Sequence, residues 1–177
     1  MSEPPGQTSE QTPPPTHSDT HLPRLGPRGE GWFMLQLVGM AVIALAGFLI
    51  GPDLSGAPRF AAALAGAVLI LGGVLLGILG IRDLGGSLSP FPMPIESAVL
   101  VSEGIYRRLR HPIYAGVILV ALGWSLLTAS LAALVLTAVL AVLLDLKARR
   151  EEAWLRERYR VYAAYAEQTS RFVPGVY

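Results

Sequence analysis

His111, Lys147, Glu151 and Glu152 are the side chains best placed for chemistry in this sequence, because each stands at the edge of a long apolar run. His111 directly precedes Pro112, a pair that suits the first turn of a helix. The free N–H groups and dipole of such a helix start favour an anionic ligand group, a carboxylate for example. The plainer reading makes His111 an interfacial side chain that caps its own helix. It is the only histidine beyond residue 30, and one histidine builds no metal site. No cysteine is present, which excludes disulfides, thiolate zinc sites, iron–sulfur clusters and cysteine nucleophiles. No metal is expected.

The second cluster reads Asp145-Leu-Lys147-Ala-Arg149-Arg150-Glu151-Glu152. On a helix Lys147 and Glu151 share a face, as do Asp145 and Arg149. An exposed helix laced by ion pairs would look the same. These charges, however, continue directly from an apolar helix, and ionisable groups at membrane depth cost enough to be read as functional. Leu155, Tyr159, Tyr162 and Ala166 follow at helical spacing and read as a packing stripe against protein or lipid rather than a ligand cage. Upstream, the prolines and glycines of residues 82–112 exclude a regular helix through most of that segment. An ordered loop of that length against a membrane usually serves a site.

The elements that must hold these residues are apolar. At 52% hydrophobic and 15% charged, with a mean hydropathy of +0.48, the 177-residue chain is unlike a soluble domain, in which charged residues make up about 25%. Its net charge of +1, without a basic stripe of interleaved aromatics, excludes a nucleic-acid partner. Gly31 to Ile50 and Phe60 to Ile81 each supply the ~20 residues needed to cross ~30 Å of hydrocarbon. In the second, Gly73 and Gly77 form a small-xxx-small pair that would let another helix approach. Ile113 to Leu144 is long for one crossing and short for two. Thr128-Ala129-Ser130 near its middle divides it into helices of about 113–127 and 131–146, the alternative being one long tilted helix. The spans expected are therefore 31–50, 60–81, 113–127 and 131–146. Residues 1–30 form a Pro-rich leader that reads as disordered and carries no signal peptide, and 31–177 form a single membrane domain. With four crossings, every Lys and Arg except Arg59 lies on one side. By the positive-inside rule that side is the cytoplasm, with both termini in it.

Gly104-x-Tyr106-x-x-x-Arg110-His111-Pro112-x-Tyr114-x-Gly116, a helical hairpin, then Glu151-Glu152-x-x-Leu155, Tyr162-x-x-Tyr165 and Arg171-Phe172-x-Pro174 resemble the isoprenylcysteine carboxyl methyltransferase family. The related phospholipid N-methyltransferases share part of this pattern. The likeness covers roughly residues 84–175. It implies an all-α integral membrane bundle of two full spans plus a short helical hairpin. A cytoplasmic C-terminal helix would close a pocket for S-adenosylmethionine (SAM). Carried over motif by motif, cofactor contacts fall on Ala98, Val99, Leu100, Val101, Tyr106, His111, Pro112, Ile113, Tyr114, Glu151 and Glu152. Glu151 would meet the methionyl ammonium or the ribose, and His111 with the helix start the carboxylate. Arg110 and Lys147 would be catalytic, Lys147 orienting the acceptor. Similar enzymes have Arg at the position of Lys147, and Arg grips a carboxylate through two hydrogen bonds where Lys acts as a point charge.

The implied function is methyl transfer to a membrane lipid or a lipidated small substrate of the prenylcysteine type, by carboxyl O-methylation. Transfer from a sulfonium is an in-line displacement that needs no metal, and a carboxylate nucleophile needs no proton removed. The glycine-rich turn of soluble methyltransferases is missing, since Leu71-Gly72-Gly73 lies inside a span. Phospholipid N-methylation, a nicotinamide-dependent membrane reductase and a non-catalytic membrane scaffold are the alternatives.

Overall fold

The computed structural model describes residues 22–23, 25–50, 56–93 and 98–177. Most of the Pro-rich leader lies outside the described residues. Among those described there is no strand. The helices are α1 (Glu30–Leu49), α2 (Ala57–Leu84), α3 (Pro112–Leu127), α4 (Leu131–Arg158) and α5 (Tyr162–Gln168), with short 3-10 turns at Gly85–Ser87 and Gly104–Arg107.

The all-helical membrane architecture is as expected, but the last long helix is not. The sequence reading ends it near residue 146, whereas α4 runs unbroken for 28 residues to Arg158. No glycine or proline interrupts it, and an Asp145–Arg149 ion pair of 2.6 Å bridges one turn just where the apolar run gives out. Three helices rather than two are thus long and apolar enough to cross a membrane, α1, α2 and α4. α3, with 16 residues, rises only about 24 Å. Phe60, Leu71 and Leu131 stand more than two-thirds exposed on these helices. Such side chains fit hydrocarbon and not water.

The turn between α3 and α4 falls at residues 128–130, as the sequence indicated. Ala129 takes a left-handed φ of 52°. Ser130 caps α4 by accepting from the Ala133 N–H at 3.2 Å, and its hydroxyl donates to the Ala46 carbonyl at 3.2 Å, which ties the turn to α1. Below it Ile43, Ala46, Ala121, Ala133, Leu140 and Leu144 form the core shared by α1, α3 and α4.

α2 meets α3 backbone to backbone. A Cβ on Gly66 would lie 2.5 Å from the Gly123 carbonyl oxygen, and one on Gly73 would lie 2.6 Å from that of Gly116. Gly80 approaches Pro112 and Ile113 in the same way. The glycines that permit close approach therefore recur every seven residues on α2, at 66, 73 and 80, and pair with 116 and 123 on α3. The small-xxx-small reading of Gly73 and Gly77 is half right, since a Cβ on Gly77 would meet nothing within 4 Å. A seven-residue period keeps one face turned to its neighbour over the whole contact.

Gly73→Ala or Gly116→Ala must push the two backbones apart, at a cost of about 1–3 kcal/mol from overpacking. Gly72→Ala, with open space for its methyl group, should be neutral or slightly stabilising because alanine is the better helix former. Thermal unfolding of the three variants in detergent checks this.

Candidate active site

One end of the bundle gathers the described residues before α1, residues 85–93 and 98–111, and the chain after residue 145. Trp32 Nε1 donates to the Pro23 carbonyl at 3.1 Å, and Met93 N–H to the Arg28 carbonyl at 3.3 Å. The 3-10 turn at Gly104–Arg107 is pinned to the end of α2, where Asp83 accepts from the Ile105 N–H at 2.9 Å. Gly104 has a φ of 59° and leaves no room for a Cβ beside Asp83. A side chain there would disturb both features.

From this turn the chain runs as Arg108–His111 alongside the C-terminal segment. Arg110 N–H donates to the Ser170 carbonyl at 2.8 Å and His111 N–H to that of Arg171 at 3.2 Å. His111 therefore reaches the start of α3 already held on its backbone. Its side chain makes no capping bond to its own helix. Instead Nε2 lies 3.2 Å from Glu152 Oε1, and the ring stacks on Tyr114 at 5.2 Å with planes 6° apart.

Glu152 is fully buried. It accepts from Arg110 Nε at 3.1 Å, Arg171 Nε at 2.9 Å and Arg156 Nη2 at 3.2 Å. A carboxylate among three guanidinium groups is ionised and has only acceptor capacity. It consequently draws the His111 proton to Nε2 and leaves Nδ1 facing the neighbouring carboxylate, Glu151, at 3.8 Å. Arg110 also binds the carbonyls of Ala166, at 2.6 Å, and Thr169, and Arg171 extends to Asp145 at 3.0 Å. Both arginines thus bind the C-terminal segment to α4.

Beside this network a cleft of about 100 Å³, or about 770 Å³ with its open mouth, lies between residues of the 84–114 segment and α4–α5. Ala98, Val99, Leu100 and Val101 form one wall, and Tyr106, His111, Ile113 and Tyr114 another. Glu151 enters from α4 and accepts from the Tyr114 hydroxyl at 2.8 Å. Arg110 also borders the cleft. Pro112 and Glu152 do not border it, Pro112 being packed against Gly80 of α2. Lys147 lies outside it too, behind Tyr114. Its ammonium donates to Gln36 Oε1 at 2.7 Å and the Pro90 carbonyl at 3.2 Å, and sits 4.9 Å from the centre of the Tyr114 ring.

Three residues read from sequence as packing, Leu155, Tyr159 and Tyr162, line the cleft together with Tyr165. The helix breaks at Tyr159, so the stripe does not continue along one face but folds round the chamber. Ser87, Ser89 and Phe91 were missed, although the Pro-rich run in which they stand was the available signal. Burial pushes the phenols of Tyr106 and Tyr162 well above their ordinary range and that of Tyr165 up to about 12. They remain neutral donors near neutral pH. Tyr165 donates to the Tyr106 carbonyl at 2.8 Å. The buried Tyr162 hydroxyl has no hydrogen-bond partner among the described residues.

A helical bundle with three helices long and apolar enough to cross a membrane, and a cleft at one end, defines a membrane protein. The chain matches the phospholipid methyltransferase family over residues 61–161, more than half its length, and belongs to that family, which takes in the isoprenylcysteine carboxyl methyltransferase-like membrane enzymes. Its members are methyltransferases that in general use SAM and act on lipid-type substrates. No match is found among the curated proteins.

Glu152→Ala strands Arg110, Arg171 and His111 without their shared anion and should cost about 3–5 kcal/mol, as loss of one partner of a buried pair does. Glu151→Ala, at the half-buried neighbouring position, should cost under ~1 kcal/mol. Thermal unfolding measures the difference, and limited proteolysis should release the C-terminal segment in the Glu152 variant alone.

Proposed function

We propose that the cleft holds SAM and that the protein methylates a carboxylate carried by a lipid-like acceptor. The observation that carries this reading is the meeting of two distant motifs in one chamber. Tyr114 donates to Glu151 at 2.8 Å, and His111, its Nε2 fixed by Glu152, faces the same chamber at the start of α3.

The donor set fits the cofactor. Glu151 is the acceptor that a methionyl ammonium or a ribose hydroxyl requires. The free N–H groups of the α3 start suit a carboxylate, while His111 Nδ1, an acceptor because Nε2 donates to Glu152, joins Glu151 on the side that suits the ammonium. Tyr159, Leu155 and Val101 give an apolar wall for a purine, and the unpartnered Tyr162 hydroxyl adds a buried donor. When bound, the cofactor supplies an electrophilic methyl group on a sulfonium. The chain's own residues position the reactants and exclude water, and they need remove no proton from a carboxylate nucleophile.

Lys147 and charge favour the acid acceptor. The ammonium, buried behind Tyr114 with two protein acceptors and the rings of Phe33 and Tyr114 beside it, sets a positive charge next to the cleft wall that favours an anion over a cation there. An ammonium headgroup would be repelled until it lost its proton. The family match favours the second reading, N-methylation of an amino phospholipid, which requires a base to keep the amine neutral. Residue 1–30 and 147–177 segments would lie in the cytoplasm, where the excess of Lys and Arg belongs.

His111→Ala and Glu151→Ala should each weaken SAM binding about ten- to hundredfold, the equivalent of one charge-assisted hydrogen bond of ~1.5–3 kcal/mol. Calorimetric titration in detergent reads this, and unchanged affinity in both would remove the cleft as the cofactor site. Lys147→Arg should retain much of the activity, while Lys147→Met should raise the acceptor KM or lower kcat at nearly constant SAM affinity. The assay is label transfer from SAM to a farnesylcysteine analogue and, separately, to phosphatidylethanolamine. Labelling of the amine lipid alone, undiminished in Lys147→Met, would establish the second reading; no transfer to any lipid would favour a scaffold.

A further inference from the structure

We propose a second ligand site, separate from the cleft, that binds an anionic phospholipid on the opposite face of α3. Two openings share a wall there. One, of about 620 Å³, is bordered by Arg82, Arg107 and Arg108 with Asp83. The other, of about 530 Å³, is an apolar groove between Leu76 of α2, Ile118 and Leu119 of α3, and Phe172 of the C-terminal segment. Ile105 and Arg108 border both, and no residue of either borders the cleft. Both openings lie in the size range of ligand sites.

The order of polarity matches a phospholipid. The arginines stand at the polar end of the bundle, and the groove descends from them along the helices into the apolar belt, Leu119 lying about 10 Å along α3 from Pro112. A headgroup seated on the arginines would thus lay an acyl chain over Leu76, Ile118 and Leu119. Both faces of that contact would otherwise be mismatched, the groove needing hydrocarbon and the rim an anion.

Charge selects the headgroup. Asp83 is already engaged, at 2.7 Å by Arg82 and at 2.9 Å by the Ile105 N–H. Arg107 and Arg108 are exposed and make no side-chain hydrogen bond or ion pair among the described residues. Two guanidinium groups therefore await a phosphate, and guanidinium binds phosphate in a bidentate fork. A zwitterionic lipid brings its own ammonium to this basic rim and loses by it.

The test incorporates the full chain into nanodiscs of equal parts phosphatidylglycerol and phosphatidylcholine, releases it in mild detergent and reads the retained lipid by native mass spectrometry. Preferential retention of one phosphatidylglycerol is expected, falling about twenty-fivefold in the double variant Arg107→Gln/Arg108→Gln, roughly fivefold for each basic residue. Leu76→Trp, which fills the groove, should lower it as well. In the wild-type protein, phosphatidylglycerol with a photoreactive acyl chain should crosslink to residues 76, 118–119 or 172–174. Equal retention of both lipids, a preference untouched by the arginine variant, or crosslinks confined to other faces would each overturn the site. The readout is lipid retention and does not depend on methyl transfer.

Discussion

Glu152 is a carboxylate without solvent, and a lone buried charge of that kind would be expelled or neutralised. It persists because Arg110, Arg156, Arg171 and His111 surround it. The arrangement reaches far along the chain: the segment before α3, the body of α4 and the segment after α5 all converge on two oxygen atoms. It orders the C-terminal segment, fixes which nitrogen of His111 carries the proton, and so sets the chemistry of the chamber wall beside it. Its neighbour Glu151, held more lightly and partly exposed, is left for the ligand.

The second constraint is the close contact of α2 with α3. Because glycines face each other every seven residues, the two helices approach until their backbones touch, and the segment joining them has to fold back over their common end. Tyr106 marks the fit, its hydroxyl donating to the Gly80 carbonyl at 3.3 Å while Asp83 holds the Ile105 N–H. The position of the cleft wall therefore follows from packing in the apolar part of the bundle. A shift of the helices there moves Tyr106, His111 and Tyr114 together.

Aromatic side chains give the chamber its character. Tyr106, Tyr114, Tyr159, Tyr162 and Tyr165 all border it. Most of their hydroxyl groups point at protein acceptors, for example Tyr159 at the Ala98 carbonyl at 2.6 Å. Their rings supply an apolar lining and their hydroxyls secure the walls. This leaves few titratable groups able to act on a ligand, and it accords with a reaction in which alignment and exclusion of water do most of the work.

Much of this was legible in the sequence, because transfer of apolar segments into lipid and the breaking of helices are local properties. The runs at 31–50 and 60–81, the turn at 128–130 and the loop of prolines before α3 could all be read from residue types. The motif residues from Ala98 to Val101, Tyr106, His111, Tyr114 and Glu151 do converge on one cleft. What residue types could not decide was direction. Glu151 and Glu152 are adjacent and chemically alike, yet they point about 100° apart on the helix, and only the packing of α4 against the C-terminal segment sends one inward to the arginines and the other to the cleft. The same holds for Lys147, whose ammonium is fixed by Gln36 and Pro90 far away in sequence, and for the tyrosines after Leu155, which become cleft walls because the helix breaks at Tyr159. Local pattern determines which segments are helices and which ends are polar. Which face meets which partner is settled by contacts between distant residues, and there alone the two glutamates acquire different roles.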